Sequence, residues 1–153
     1  MKLIVKLIVT FFGIGLLRPA PGTWGSLAAL PIGIWVLINA GWPVLLFLSL
    51  LIFAIGVWTS SMYVTTTGGK DPSEVVIDEV AGMWLALVFV GPVIWQVVGA
   101  FVLFRFFDIT KLWWIGRLEK LPKGWGIMSD DMLAGLVAGV LMLVCQLFVT
   151  SLG

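Results

Sequence analysis

Long apolar runs broken by short turn-rich loops dominate this chain, and they leave few folds open. Of 153 residues, 61% are hydrophobic and only 11% charged, whereas the apolar share of a soluble domain is nearer about half. Runs of this kind are compatible with lipid as helices, because a helix satisfies its own backbone N–H and C=O groups. The expected fold is all-α, a polytopic membrane helix bundle of about five spans at 26–39, 43–66, 73–91, 92–109 and 130–150, forming one integral-membrane domain over 1–153. The breaks are Ala40-Gly41-Trp42-Pro43, the polar series Thr65 to Pro72, Gly91-Pro92, and Leu121 to Gly126. Thr23 or Ser26, Ser73 and Ser129 are candidate N-caps for the helices that follow them. Residues 1–16 open on a basic, apolar segment, but Arg18-Pro19-Ala20-Pro21-Gly22 follows in place of a small-residue cleavage pattern, which favours an interfacial or re-entrant helix over a signal peptide. The basic, Trp-rich piece at 111–120 reads as a second interfacial helix.

Placing charges on that zigzag separates two faces. The loops at 40–42 and 91–92 and the tail at 151–153 carry no ionisable side chain, and all eight acids fall at or near the other side with most of the basic residues. The positive-inside tendency makes that face cytoplasmic. A net charge of +1 argues against nucleic acid as a partner, the nine Trp suit interfacial belts, and the oligomeric state stays open. Cys145 is alone in the last apolar run, and histidine is absent, which removes the commonest general base and the commonest zinc ligand.

Within the run from Val75 to Trp84, the adjacent carboxylates Asp78 and Glu79 need an explanation, because ionised groups in a span face a protein interior or an aqueous cavity and mark function. Asp108 closes the fourth run, and Asp130 with Asp131 opens the fifth, on the same face. Asp78 with Gly82, and Asp131 with Gly135 and Gly139, follow i, i+4 spacing, so small residues allow the helices that carry the acids to approach closely. Carboxylates without His or Cys select a hard cation, Mg²⁺ or Mn²⁺, with Asp78, Glu79, Asp108, Asp130 and Asp131 as candidate ligands. Arg105 and Lys111 share a helical face with Asp108, and Arg18, Thr23 and Ser26 lie in or beside a loop with free amides, so an anion site adjoins the acids. Metal and anion sites beside lipid point to a phospholipid headgroup and membrane as partners.

The absent residues narrow the chemistry. No phosphohistidine, cysteinyl-phosphate or DxDx[TV] aspartyl-phosphate route is available, which leaves attack by a metal-activated water. Asp78, Glu79 and Asp131 are each candidates for the base. Simpler readings compete: Asp78 and Glu79 as a buried ion pair with Arg105 or Lys111, Asp130-Asp131 and Glu74 as first-turn acids on a helix dipole, and Arg117, Lys120 and Lys123 as surface anchors for anionic lipid. At the level of the whole chain, the alternatives are a membrane cation transporter and a non-catalytic membrane scaffold. The absence of an inverted repeat argues against the transporter.

Four blocks in order carry a family resemblance: Ala20-Pro21-Gly22-Thr23-Trp24-Gly25-Ser26-Leu27, Val76 to Trp84, Phe104-Arg105-Phe106-Phe107-Asp108-Ile109, and Gly124 to Gly135. With these the chain resembles the bacterial phosphatidylglycerophosphatase A family over nearly its whole length. The resemblance implies a Mg²⁺-dependent phosphatase of the bacterial inner membrane that converts phosphatidylglycerol phosphate to phosphatidylglycerol and inorganic phosphate. It implies site roles for Thr23, Ser26, Asp78, Glu79, Arg105, Asp108, Lys111, Asp130 and Asp131. One departure is visible: where the family tends to Lys-Pro, this chain has Lys111-Leu112.

Overall fold

A computed structural model describes residues 2–68, 72–112 and 114–152, and these form an all-helical bundle. Gly69, Lys70 and Asp71 of the expected polar loop and Trp113 of the expected interfacial helix lie outside the described residues. The helices are α1 (Lys2–Val9), α2 (Pro21–Ala40), α3 (Trp42–Thr67), α4 (Ile77–Leu87), α5 (Ile94–Thr110), α6 (Ile115–Leu118) and α7 (Gly124–Leu152). Three of them, α2, α3 and α7, are long and apolar enough to cross a membrane. Their outward faces carry large apolar side chains such as Trp35, Phe47, Trp58 and Phe148, as lipid contact requires.

Of the about five spans expected, those at 26–39, 43–66 and 130–150 are therefore shown, as α2, α3 and α7, and the other two runs form shorter helices. The third run, expected over 73–91, is the 11-residue α4, about 16 Å long and roughly half the hydrocarbon thickness. The fourth, expected over 92–109, is the 17-residue α5, and it is not among the three long spans. α4 is apolar because protein surrounds it: it packs against α2, α3, α5 and α7, and ten of its eleven residues are buried. A lipid-facing stretch and one enclosed by protein read alike in sequence.

Side chains from its neighbours fix α4 in place. Trp84 Nε1 donates to the Ala29 carbonyl of α2 at 2.9 Å, and Ser49 Oγ of α3 donates to the Ala81 carbonyl at 2.8 Å. On the α7 side a side chain at Gly82 or Gly135 would run into the opposing backbone, so these glycines permit direct contact between the two helices. Phe104 and Met83, both fully buried, belong to the surrounding core. The irregular stretch after α4 satisfies its backbone through glutamines: Gln96 Oε1 accepts from the Gly91 N–H at 2.6 Å, and Gln146 Nε2 donates to the Phe89 carbonyl at 3.3 Å.

The first helix, α1, has eight residues, about 12 Å and too short to cross. It lies against α3, and the Val9 carbonyl accepts the Val76 N–H at 2.8 Å. The N-terminal segment thereby holds the entry to α4 one residue ahead of its first turn. The interfacial helix expected at 111–120 is only the single turn α6. Three expected caps also shift. Pro21 opens α2, so Thr23 and Ser26 lie inside it, α4 starts four residues after Ser73, and α7 starts at Gly124, five residues before Ser129. Proline at a first helical position and glycine next to a turn explain the two earlier starts.

Candidate active site

A cavity of about 780 Å³ opens among the ends of α2, α4 and α5, the α6–α7 turn and the beginning of α7, and six of the chain's eight acids line it. Asp78 and Glu79 reach it from the first turn of α4. Asp130 and Asp131 reach it from the second turn of α7, so neither is a first-turn acid. Both are nearly sealed from solvent, at 4% and 3% exposure, which a role confined to capping would not require. Asp78, Glu79 and Asp131 each present a carboxylate oxygen within 4.8 Å of the others. The contact of Gly82 with Gly135 makes this possible by bringing α4 and α7 together one turn away from the acids.

The cations only partly balance these charges. Arg105 Nη1 lies 2.5 Å from Asp108 Oδ2 and 3.7 Å from Glu79 Oε1, and donates to Ser26 Oγ at 3.4 Å. Ser26 Oγ in turn donates to the Gly22 carbonyl at 2.8 Å. Gly22 itself abuts the Glu79 carboxylate, and an added Cβ would displace it. Lys111 pairs with Glu119 and with Asp130 Oδ2, the latter at 3.0 Å. Burial lowers the Lys111 pKa, but the two carboxylates more than offset this and hold it above its ordinary 10.5. Among the described residues, Asp78 and Asp131 have no cation within ion-pair distance, so the ion-pair reading of the α4 acids reduces to the long Glu79–Arg105 contact.

Several polar atoms in this centre are buried with no hydrogen-bond partner: Glu79 Oε2, Asp130 Oδ1, Asp131 Oδ2 and Arg105 Nε. Unpartnered buried carboxylate oxygens are costly unless something positive meets them. Three clustered carboxylates, two of them with such atoms, fit a divalent hard cation in oxygen donors, and the cluster supports metal-dependent catalysis in general terms.

The remaining candidates sort by position. Asp108 lines the cavity but is committed to Arg105, and Asp130 is shared with Lys111, so both flank the three-carboxylate group. Ser26 is buried and touches Arg105, while Thr23 is half-buried and Arg18 exposed, and neither lines the cavity. Sequence reasoning missed Lys120 and Lys123, read as surface anchors, which line the cavity mouth. Glu119, which holds Lys111, was missed as well. The Lys120-Leu121-Pro122-Lys123 spacing, with a rigid proline between two cations, was the available signal.

Comparison with known proteins gives the family. The family model for phosphatidylglycerophosphatase A matches residues 7–146. The chain is 38% identical over 144 residues to "Phosphatidylglycerophosphatase A" of Haemophilus influenzae, covering 93% of this chain and 88% of that protein. It is 38% identical over 142 residues to the protein of that name in Escherichia coli, covering 90% and 81%. A "Putative phosphatidylinositol-3-phosphatase" of Bacteroides thetaiotaomicron is 37% identical over 147 residues, covering 92% of each. No solved structure matches. The chain belongs to the phosphatidylglycerophosphatase A family.

Proposed function

We propose that this protein is a lipid phosphate monoesterase of the bacterial inner membrane. Its reaction is hydrolysis of phosphatidylglycerol phosphate to phosphatidylglycerol and inorganic phosphate, with Mg²⁺ as cofactor and the cavity open to the cytoplasmic side. The observation that carries the reading is the cluster of Asp78, Glu79 and Asp131, with its unpartnered buried oxygens, at the base of a cavity that also holds Arg105. The names of the relatives supply the substrate, and the one-sided charge map supplies the orientation.

Asp78, Glu79 and Asp131 would hold the cation, with Asp108 and Asp130 at its flanks. When bound, Mg²⁺ supplies Lewis-acid polarisation of the phosphoryl group and lowers the pKa of water. Asp108 and Ser26 fix the Arg105 guanidinium at the cavity wall, where its charge would meet a phosphoryl oxygen. Lys111, held charged by Glu119 and Asp130, keeps a second positive group in the same cavity. A carboxylate oxygen of the cluster accepts a proton from the attacking water. The water oxygen bonds to phosphorus, the ester P–O bond breaks, and the leaving glycerol oxygen takes up a proton. Asp78→Asn, Glu79→Gln and Asp131→Asn are each expected to abolish metal-dependent phosphate release while the purified variants keep wild-type helicity and elution. Wild-type turnover in all three would remove the reading. The relative named for an inositol lipid favours a second reading, phosphatidylinositol 3-phosphate as substrate, and a side-by-side turnover measurement on the two lipids decides between them.

A further inference from the structure

The cavity is larger than one phosphate needs, and its cations fall into two sets. Arg105 and Lys111 are both committed to carboxylates. Lys120 and Lys123 line the same cavity, yet neither makes an ion pair among the described residues. They stand on either side of Leu121-Pro122, in a turn that is held firmly. The Gly124 N–H donates to Ser61 Oγ of α3 at 3.0 Å, and the Leu121 N–H to the Leu118 carbonyl at 2.9 Å. Lys123 occupies the left-handed region at φ 54, an unfavourable conformation for a side-chain-bearing residue, and it is retained at the rim of the cavity. Along α7, Gly124 precedes Asp131 by about two turns, roughly 10 Å, so the pair sits towards the mouth while the carboxylate cluster sits at the base.

From this we infer that Lys120 and Lys123 form a second anion position that receives the phosphodiester of the lipid while the terminal phosphomonoester lies at Arg105 and the acids. The inference rests on the lipid phosphatase reading and deepens it. The ligand class is a phospholipid in which a short polyol joins a diester phosphate to a terminal phosphate. Such a molecule places one anion at each end of the cavity, with the polyol and the four-carbon lysine stems bridging the distance. A lipid with one phosphate reaches only one of the two positions. Specificity thus comes from the mouth, while the acids at the base are indifferent to what the phosphate is esterified to.

The test uses the purified full-length chain in neutral detergent, with Lys120→Gln/Lys123→Gln compared with wild type and with Arg117→Gln, which removes a cation that does not line the cavity. In the double variant KM for phosphatidylglycerol phosphate is expected to rise roughly tenfold or more, with kcat retained, as loss of charge-assisted contacts to a bound anion requires. Competitive inhibition by glycerophosphoglycerol, a soluble diester without a terminal phosphate, weakens in the same proportion. Inhibition by inorganic phosphate stays unchanged, and Arg117→Gln behaves as wild type throughout. An unchanged KM, or equal weakening of inhibition by both anions, overturns the second position. If wild type releases no phosphate, the hydrolase reading fails by itself. The second position is then judged by calorimetric binding of glycerophosphoglycerol to wild type and double variant, and equal affinities overturn it.

Discussion

Gly135 of α7 lies directly against the backbone carbonyl of Gly82 in α4, with no room for a side chain at either position. That contact sets the separation of the two helices whose carboxylates meet one turn further on. Gly135→Val is therefore expected to destabilise the bundle by about 1–3 kcal/mol, as overpacking of a close interface does. Thermal unfolding in detergent reads this directly. Even the folded fraction should have lost most of its phosphate release, because Asp131 would be moved away from Asp78 and Glu79.

Gly22 offers a milder test of the same geometry. A Cβ there meets the Glu79 carboxylate and lies 3.1 Å from Arg105 Nη1. Gly22 is the second residue of α2, and the added methyl meets the far end of the flexible Glu79 side chain rather than backbone, so Gly22→Ala can be accommodated by a shift of that carboxylate. The expected outcome is unchanged thermal stability together with reduced kcat, measured on the same preparation. Retained kcat would show that the Glu79 position has slack.

Arg105 tests geometry against charge. Lysine keeps the positive charge but has no Nε and no planar fork. Arg105→Lys is expected to lower kcat/KM about 10- to 100-fold, matching the loss of a charged hydrogen bond of about 1.5–3 kcal/mol. Steady-state kinetics on phosphatidylglycerol phosphate checks this, and a lysine variant with wild-type kcat/KM would contradict the role of the planar guanidinium.

How much of this was legible in the sequence depends on what each signal measures. The i, i+4 spacing of Asp78 with Gly82, and of Asp131 with Gly135, identified helix faces that do meet, because small residues beside a charge leave a pattern that survives without coordinates. The long run of α3 was equally clear. Hydropathy failed at α4, where burial in protein produces the same apolar string as exposure to lipid. Ser129 looked like a cap for α7 only because the actual start, at Gly124 after Pro122-Lys123, resembled a loop. That Lys120 and Lys123 line the cavity was not legible, because a cavity assembled from several elements has no local signature.

Lys111 gives a prediction about pH. Its Nζ bridges Glu119 and Asp130, and those carboxylates outweigh the opposing effect of burial to raise its pKa above 10.5. A folded-state pKa above the unfolded value contributes stability that is fully present below the unfolded pKa and is lost only as pH rises through the folded one. The stability difference between wild type and Lys111→Met is accordingly expected to be fully present from about pH 8 to 9, below the unfolded lysine value of about 10.4, and to fall only as pH rises through the folded value. Its size should be on the order of 1–3 kcal/mol, because Asp130 is left buried without its partner. Thermal unfolding of both proteins across that range is the check. No difference between the two proteins in that range would mean that the bridge contributes no stability.

The central claim is that buried carboxylates on α4 and α7 hold a divalent cation for phosphate ester hydrolysis. Phosphate release from phosphatidylglycerol phosphate by the purified protein, first after EDTA treatment and then with Mg²⁺ restored, tests it most directly. Loss of release with EDTA, recovery with Mg²⁺, and no recovery for Asp131→Asn are the expected results. Release that persists in EDTA, or that Mg²⁺ restores equally to Asp131→Asn, would contradict it.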